Sequence, residues 1–433
     1  MSNKPLITQW KSERLGESYE RIRHASGLDI YLFPKSMTTT YALFATRFGS
    51  VDQDFRLEGD PENEVVHVPA GVAHFLEHKM FANEDGVDSF ERFSAYGADA
   101  NAYTAHNRTV YLFGATENFD QSLTELLRFV THPYFTEDSV KKECGIIAQE
   151  IKMYDDDAYE RCFSELLKSL YHTHPIRQNI CGTVPSIKQI TPQTLMDCYR
   201  VFYNLSNMAL VICGNVTREE ILAIADRELP REEAVHIVRS VPDEPDTVFR
   251  SRFEVEMPVA KPIFHIGFKD RGHRGSALER QRREAIMSIL NEMLFSRSGE
   301  LFNSLFENGK ISPGFSYGYS MSDTFSFNSL AGEADDPELV LREILAYIEK
   351  KKEEGLDETV FARCRRVMCA EYVKDFDSTE EIANSLLGYV FDEGEMFAYG
   401  DLLKDVTLAD AEQLLHEAFS PEYVCMAVVK PMK

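Results

Sequence analysis

The chain has 433 residues, 44% of them hydrophobic, and a formal net charge of −25. That length allows two or more domains with separate cores. The acidic balance argues against a nucleic-acid or anionic-lipid surface, and the apolar runs are too short for a membrane span. The opening Met1-Ser2-Asn3-Lys4-Pro5 runs into polar Trp10–Arg14 without the apolar core of a secretion signal. The eight cysteines form no C-x-x-C pair and read as reduced core thiols. Cytoplasmic residence is the expectation.

The first informative element is His74-Phe75-Leu76-Glu77-His78, preceded by Val72-Ala73 and followed by Met80-Phe81. On a helix, residues four apart lie one above the other, so His74 and His78 share a face. A solvated surface pair is the plain alternative, but the apolar flanks argue against it. Two imidazoles and a carboxylate in such a run are costly to bury unless they hold a partner, and a metal ion is one. Glu77 sits beside the same face, free to take a proton from water. The order H-x-x-E-H is the inverse of the commoner H-E-x-x-H zinc-peptidase helix.

Next comes Ala98-Asp99-Ala100-Asn101-Ala102-Tyr103-Thr104, whose small and polar residues suit an exposed strand edge. Such an edge can bind an extended peptide by adding a strand; an ordinary sheet strand is the alternative. A helix is then predicted near Val140–Tyr154. A catalytic zinc site uses three protein ligands and one open position, so a third ligand is expected on a separate element. Glu143 and Glu150, seven apart, project from one helical face. Ile146, Ile147 and Ile151 are spread around this helix and imply substantial burial.

The two halves of the chain echo each other. Thr191-Pro192 opens a helical stretch through Tyr199 and Phe202 that leads into strand-like Met208–Cys213. Thr407-Leu408 opens another through Leu415 and Phe419 that leads into Val424–Val429, with no gap between the two alignments. The expectation is an α+β fold of two tandem homologous domains, each an antiparallel sheet packed with helices. The domains are residues 1–228 and 251–433, joined by a polar, Pro-bearing linker at 229–250. Where the first half has its histidine helix, the second has Met287–Leu294 with no histidine, and Arg363 and Ala370 fall opposite Glu143 and Glu150. The first copy is therefore expected to be catalytic and the second architectural.

H-x-x-E-H followed after roughly seventy residues by E-x6-E on a long helix resembles the pitrilysin/insulinase family of inverzincins, in its mitochondrial-processing-peptidase-like branch. Gly71-Val72-Ala73, Gly97 through Thr104, and Tyr154-Asp155-Asp156 add to the likeness. The family often continues Y-D-D-N-P where this chain has Asp157-Ala158, a departure that concerns local turn geometry. The resemblance implies a zinc metalloendopeptidase with one Zn2+ per chain, held by His74, His78 and Glu150. Glu77 then matches the general base, and Glu143 the accessory acidic residue that completes the catalytic pair from behind the metal. Asn101 and Ala102 match the family's substrate-binding strand.

Members of the family work as a clam-shell of four such domains, and this chain has two, which implies a partner chain around the peptide substrate. The family's substrate clamp pairs an arginine with a tyrosine; the corresponding stretch, Ser312–Phe325, offers Tyr317 and Tyr319 but no arginine. A heterodimer with a related zinc-less subunit that carries the arginine is therefore expected, and otherwise a homodimer. Some relatives are non-catalytic structural subunits that have lost metal residues, whereas this chain keeps all of them.

Overall fold

Two strand runs rich in β-branched and aromatic residues, Thr40–Thr46 and Met208–Gly214, are buried along their whole length, as strands covered on both faces of a sheet must be. In the computed structural model, which describes residues 6–59 and 64–432, they lie side by side at the centre of the larger sheet. Leu210, Val211 and Ile212 are fully buried, each stabilising the fold by roughly 1.5–3 kcal/mol. Met1–Pro5, read above for a leader, lie outside the described residues.

In chain order the first strands are β1 (Leu6–Ser12), β2 (Glu17–Arg23), β3 (Asp29–Pro34), β4 (Thr40–Thr46), β5 (Asp54–Leu57), β6 (Val66–His67), β7 (Asp99–Thr104), β8 (Thr109–Ala115) and β9 (Met208–Gly214). They are followed by β10 (Ile237–Arg239), β11 (Arg252–Met257), β12 (Ile263–Lys269), β13 (Ser316–Met321), β14 (Ser326–Glu333) and β15 (Val424–Pro431). The larger sheet has the order β1-β2-β3-β9-β4-β8-β7 and the smaller one β11-β15-β12-β14-β13. Strands β3, β9, β4, β8 and β7 thus take the places of β11, β15, β12, β14 and β13. Both sheets are antiparallel apart from one equivalent parallel pair in each, β3 with β9 and β11 with β15. The duplicated α+β architecture is confirmed down to that pair. Thr191 and Thr407 both close capping boxes on the helices Pro192–Phe202 and Leu408–Ala418.

The helices of the first half that bear on the site begin with α1 (Val72–Met80), α2 (Ser89–Tyr96), α3 (Phe119–Thr131), α4 (Glu137–Asp156) and α5 (Ala158–Leu170). Asp157, where the family pattern is broken, caps α5 by accepting from the N–H groups of Tyr159 and Glu160. On α4, Ile147 and Ile151 are buried, but Ile146 is 47% exposed, so apolar residues do not surround this helix with core as the sequence implied.

Two compact units result, and neither is continuous in sequence. The first comprises residues up to 151, 178–240 and 373–391; the second comprises 152–177, 241–372 and the residues from 392 onward. In the first unit, β4 and β9 are covered by the helix Thr379–Phe391; in the second, β12 and β15 are covered by α5. Part of the 229–250 stretch is ordered as β10, which pairs with β5 in a third, three-stranded sheet. Among the described residues no helix is long and apolar enough to cross a membrane.

Candidate metal centre

Helix α1 begins at Gly71, whose φ of 92° is open to glycine at little cost. A Cβ there would lie 2.5 Å from the carbonyl oxygen of Cys181, and one on Gly182 (φ 73°) would lie 2.3 Å from that of Ala70. The loop around Cys181 and the start of α1 therefore press backbone against backbone. Ser186 Oγ locks them by donating to the Ala70 carbonyl at 2.8 Å. Phe75 and Leu76 are fully buried and anchor the apolar side of α1, which sets the histidines on its other side.

From α4, the carboxylate of Glu150 lies between the two imidazoles. Its oxygens are 3.5 Å from His74 Nε2 and 3.5 Å from His78 Nε2, and the rings stand 4.5 Å apart. Donor atoms bound at about 2.1 Å around a tetrahedral zinc ion are separated by about 3.4 Å. The two imidazole–carboxylate spacings, with nitrogen and oxygen donors of the right chemistry on one buried and two half-buried side chains, fit such an ion. Glu143, one face-repeat earlier on α4, takes the far side of His78, with Oε1 3.1 Å from Nδ1.

Burial pulls the His78 pKa down, but the Glu143 hydrogen bond and the charges of Glu77, Glu150 and Glu143 outweigh it, so the net shift is upward. Burial raises Glu143, and its bond and charge interaction with His78, helped by Lys79 and Lys142, more than reverse this. A donated Nδ1–H towards Glu143 leaves Nε2 of His78 with its lone pair facing Glu150. Glu77 turns to the strand side, where Thr104 Oγ1 of β7 donates to its Oε2 at 2.6 Å.

Strand β7 is the edge of the larger sheet. Asn101 is exposed and Ala102 half-buried on it, and the Asn101 side chain accepts from the Ala102 N–H at 2.9 Å. Tyr317 and Tyr319 belong to the second unit, on its own edge strand β13. Both hydroxyls are engaged: Tyr317 donates to Glu292 at 2.6 Å and Tyr319 to Asp270. Asp270 also receives the guanidinium of Arg283 at 2.6 and 2.9 Å, an arginine outside the stretch in which the sequence offered none. The helix that replaces α1 in the second unit, Ala277–Phe295, buries Met287, Leu290 and Leu294 and carries no histidine.

Two residues at the centre escaped the sequence. The sequence marks Thr104 only as part of a strand, although a hydroxyl is the group that can donate to a carboxylate. Cys181 has the sequence surroundings of a core thiol; it is buried, but its Sγ lies 3.8 Å from His74 Nε2. The one local hint was Gly182 beside it.

Residues 67–184 match the family model described as Insulinase (Peptidase family M16), and residues 189–368 the one described as Peptidase M16 inactive domain. The uncharacterized zinc protease YmfH of Bacillus subtilis (strain 168) is 37% identical over 431 residues, covering 98% of this chain and 100% of the relative. A probable mitochondrial-processing peptidase subunit beta of Schizosaccharomyces pombe is 28% identical over 211 residues, 45% of each chain. Among solved structures, an M16-like peptidase from Alicyclobacillus acidocaldarius superimposes with a TM-score of 0.90 at 33% identity, covering 100% of both chains. With its H-x-x-E-H helix in the segment that matches the insulinase model and a histidine-free copy in the segment that matches the inactive domain, the chain belongs to the insulinase family, peptidase family M16.

Proposed function

We propose that the protein is a zinc-dependent endopeptidase that cleaves peptides or unfolded polypeptides. The observation that carries this reading is the approach of both imidazole Nε2 atoms to the two oxygens of Glu150, each at 3.5 Å, with Glu77 beside them on the same helix. His74, His78 and Glu150 would hold the ion. Bound zinc lowers the pKa of water to about 7 and polarises a carbonyl. Glu77 takes the proton from the attacking water and passes it to the leaving amine, the general acid–base role. Thr104 aims the Glu77 carboxylate by donating to one oxygen. Glu143 is a positioning residue, since it acts through His78. The open edge of β7, at Asn101 and Ala102, suits an extended peptide that adds as a strand.

The two-unit chain and the subunit character of the mitochondrial-processing relative support a dimeric assembly. We propose a partner that is a related, zinc-less subunit, with a homodimer as the other outcome. Tyr317 and Tyr319 remain the residues of this chain proposed to grip substrate.

The test is hydrolysis of a quenched-fluorescent peptide library by the purified chain, alone and with a zinc-less homologue. Zinc content and solution mass are measured alongside, and Glu77→Gln serves as the control. One zinc per chain with cleavage lost in Glu77→Gln by a factor of about 10² or more is expected. Zinc-free protein, or inactivity under every pairing, would leave the structural-subunit reading in its place. Full turnover by a homodimer would refute the heterodimer alone.

A further inference from the structure

Cys181 lies on the loop pressed against the start of α1, and its placement is more specific than core packing requires. It is 4% exposed, and its N–H is tied to Asn179 Oδ1 at 2.9 Å, which fixes the turn that presents the side chain. Its Sγ is 3.8 Å from His74 Nε2, and one donor atom each from His74, Glu150 and Cys181 lie within 4.8 Å of one another. A thiolate bound at about 2.3 Å and an imidazole at about 2.1 Å on one tetrahedral zinc stand about 3.6 Å apart.

His74 supplies a second, independent observation. The residue is 7% exposed, yet its Nδ1 has no hydrogen-bond partner among the described residues. Metal-bound histidines are ordinarily oriented by a group on the far nitrogen, as Glu143 does for His78. The polar contacts of His74 run instead through Nε2, to Glu150 and to Cys181. The groups that orient this ring are those on the metal side.

We infer that Cys181 is a thiolate donor to the metal site, beside His74 and Glu150. This rests on the zinc reading above. As the S–Zn bond forms, the thiol proton leaves to solvent, so binding at Cys181 releases one proton. A thiolate bound there would crowd the position that hydrolysis leaves to water, so it would have to give way before water or substrate could bind.

The test is spectroscopic and independent of turnover. The full chain is loaded with Zn2+ for X-ray absorption and with Co2+ for near-ultraviolet spectroscopy, as wild type, Cys181→Ala and Cys181→Ser. The expected result is a sulfur shell at about 2.3 Å and a sulfur-to-cobalt charge-transfer band in the wild type. Both are lost in the two variants while one metal per chain is still bound. A wild-type shell of nitrogen and oxygen alone would overturn the inference and leave the hydrolytic reading standing. Sulfur that persists in Cys181→Ala would assign it to another cysteine and equally overturn it. A wild type that binds neither metal would overturn both. If one variant fails to fold, the other and the wild-type spectrum still decide.

Discussion

Replacing Glu143 with alanine removes the carboxylate that lies 3.1 Å from His78 Nδ1. The pair is mutually reinforcing, since the His78 pKa is raised and that of Glu143 lowered, each in part by the other. Loss of such an outer partner weakens metal binding by about 10–100-fold, or about 1.4–2.8 kcal/mol. Glu143→Gln keeps an acceptor oxygen for Nδ1–H and loses only the charge, so its effect should be the smaller. Competition with a chromophoric chelator at neutral pH measures both variants. The direction of the pH shift separates this mechanism from simple unfolding. Glu143 favours the protonated imidazole, so its removal lowers the His78 pKa and moves the acid limit of zinc binding to lower pH. Affinity at neutral pH falls while the acid limit shifts downwards. Unchanged affinity in Glu143→Ala, or an acid limit that moves upwards, would refute the positioning role.

Further outcomes follow from other named contacts. His78→Ala and Glu150→Ala should each lose most of the bound zinc by elemental analysis; full occupancy in both would remove them from the ligand set. Thr104→Val deletes the hydroxyl that donates to Glu77 at 2.6 Å. A charge-assisted hydrogen bond of about 1.5–3 kcal/mol predicts roughly a tenfold or greater fall in turnover with zinc content unchanged, and wild-type turnover would sink that assignment. Glu244 accepts from the N–H groups of His172, Thr173 and His174 and from Lys269. Burial pushes its carboxyl up, but these donors hold it down at about 2 against 4.5. Lys269 is itself lowered by burial despite the ion pair, so we assign most of the gain to the backbone bonds. A depressed carboxylate stabilises above its unfolded pKa and loses that contribution as pH falls. Glu244→Ala should therefore cost about 3 kcal/mol above pH 4.5, a difference that shrinks towards pH 2; urea denaturation at neutral and acid pH checks this, and a pH-independent difference would contradict it.

What the amino-acid sequence determined by itself is whatever depends on short spacing. His74 and His78 share a helical face because they are four apart, and Glu143 and Glu150 share another because they are seven apart. The repeat was legible for the same reason: Thr191 and Thr407 each open a capped helix that ends in a buried strand. Tertiary structure decided everything that depends on non-local approach. Only the packing of α4 against α1 places Glu150 between two imidazoles and Glu143 behind one of them. Only the backbone contact at Gly71 and Gly182 brings Cys181 to His74. Ile146 departs from the expected burial because burial along a helix depends on which face meets a neighbour, and this side chain stays 47% exposed. The exchange of α5 and Thr379–Phe391 was invisible as well. An amphipathic helix records in its sequence that it must cover an apolar sheet, but not which of two equivalent sheets it will cover.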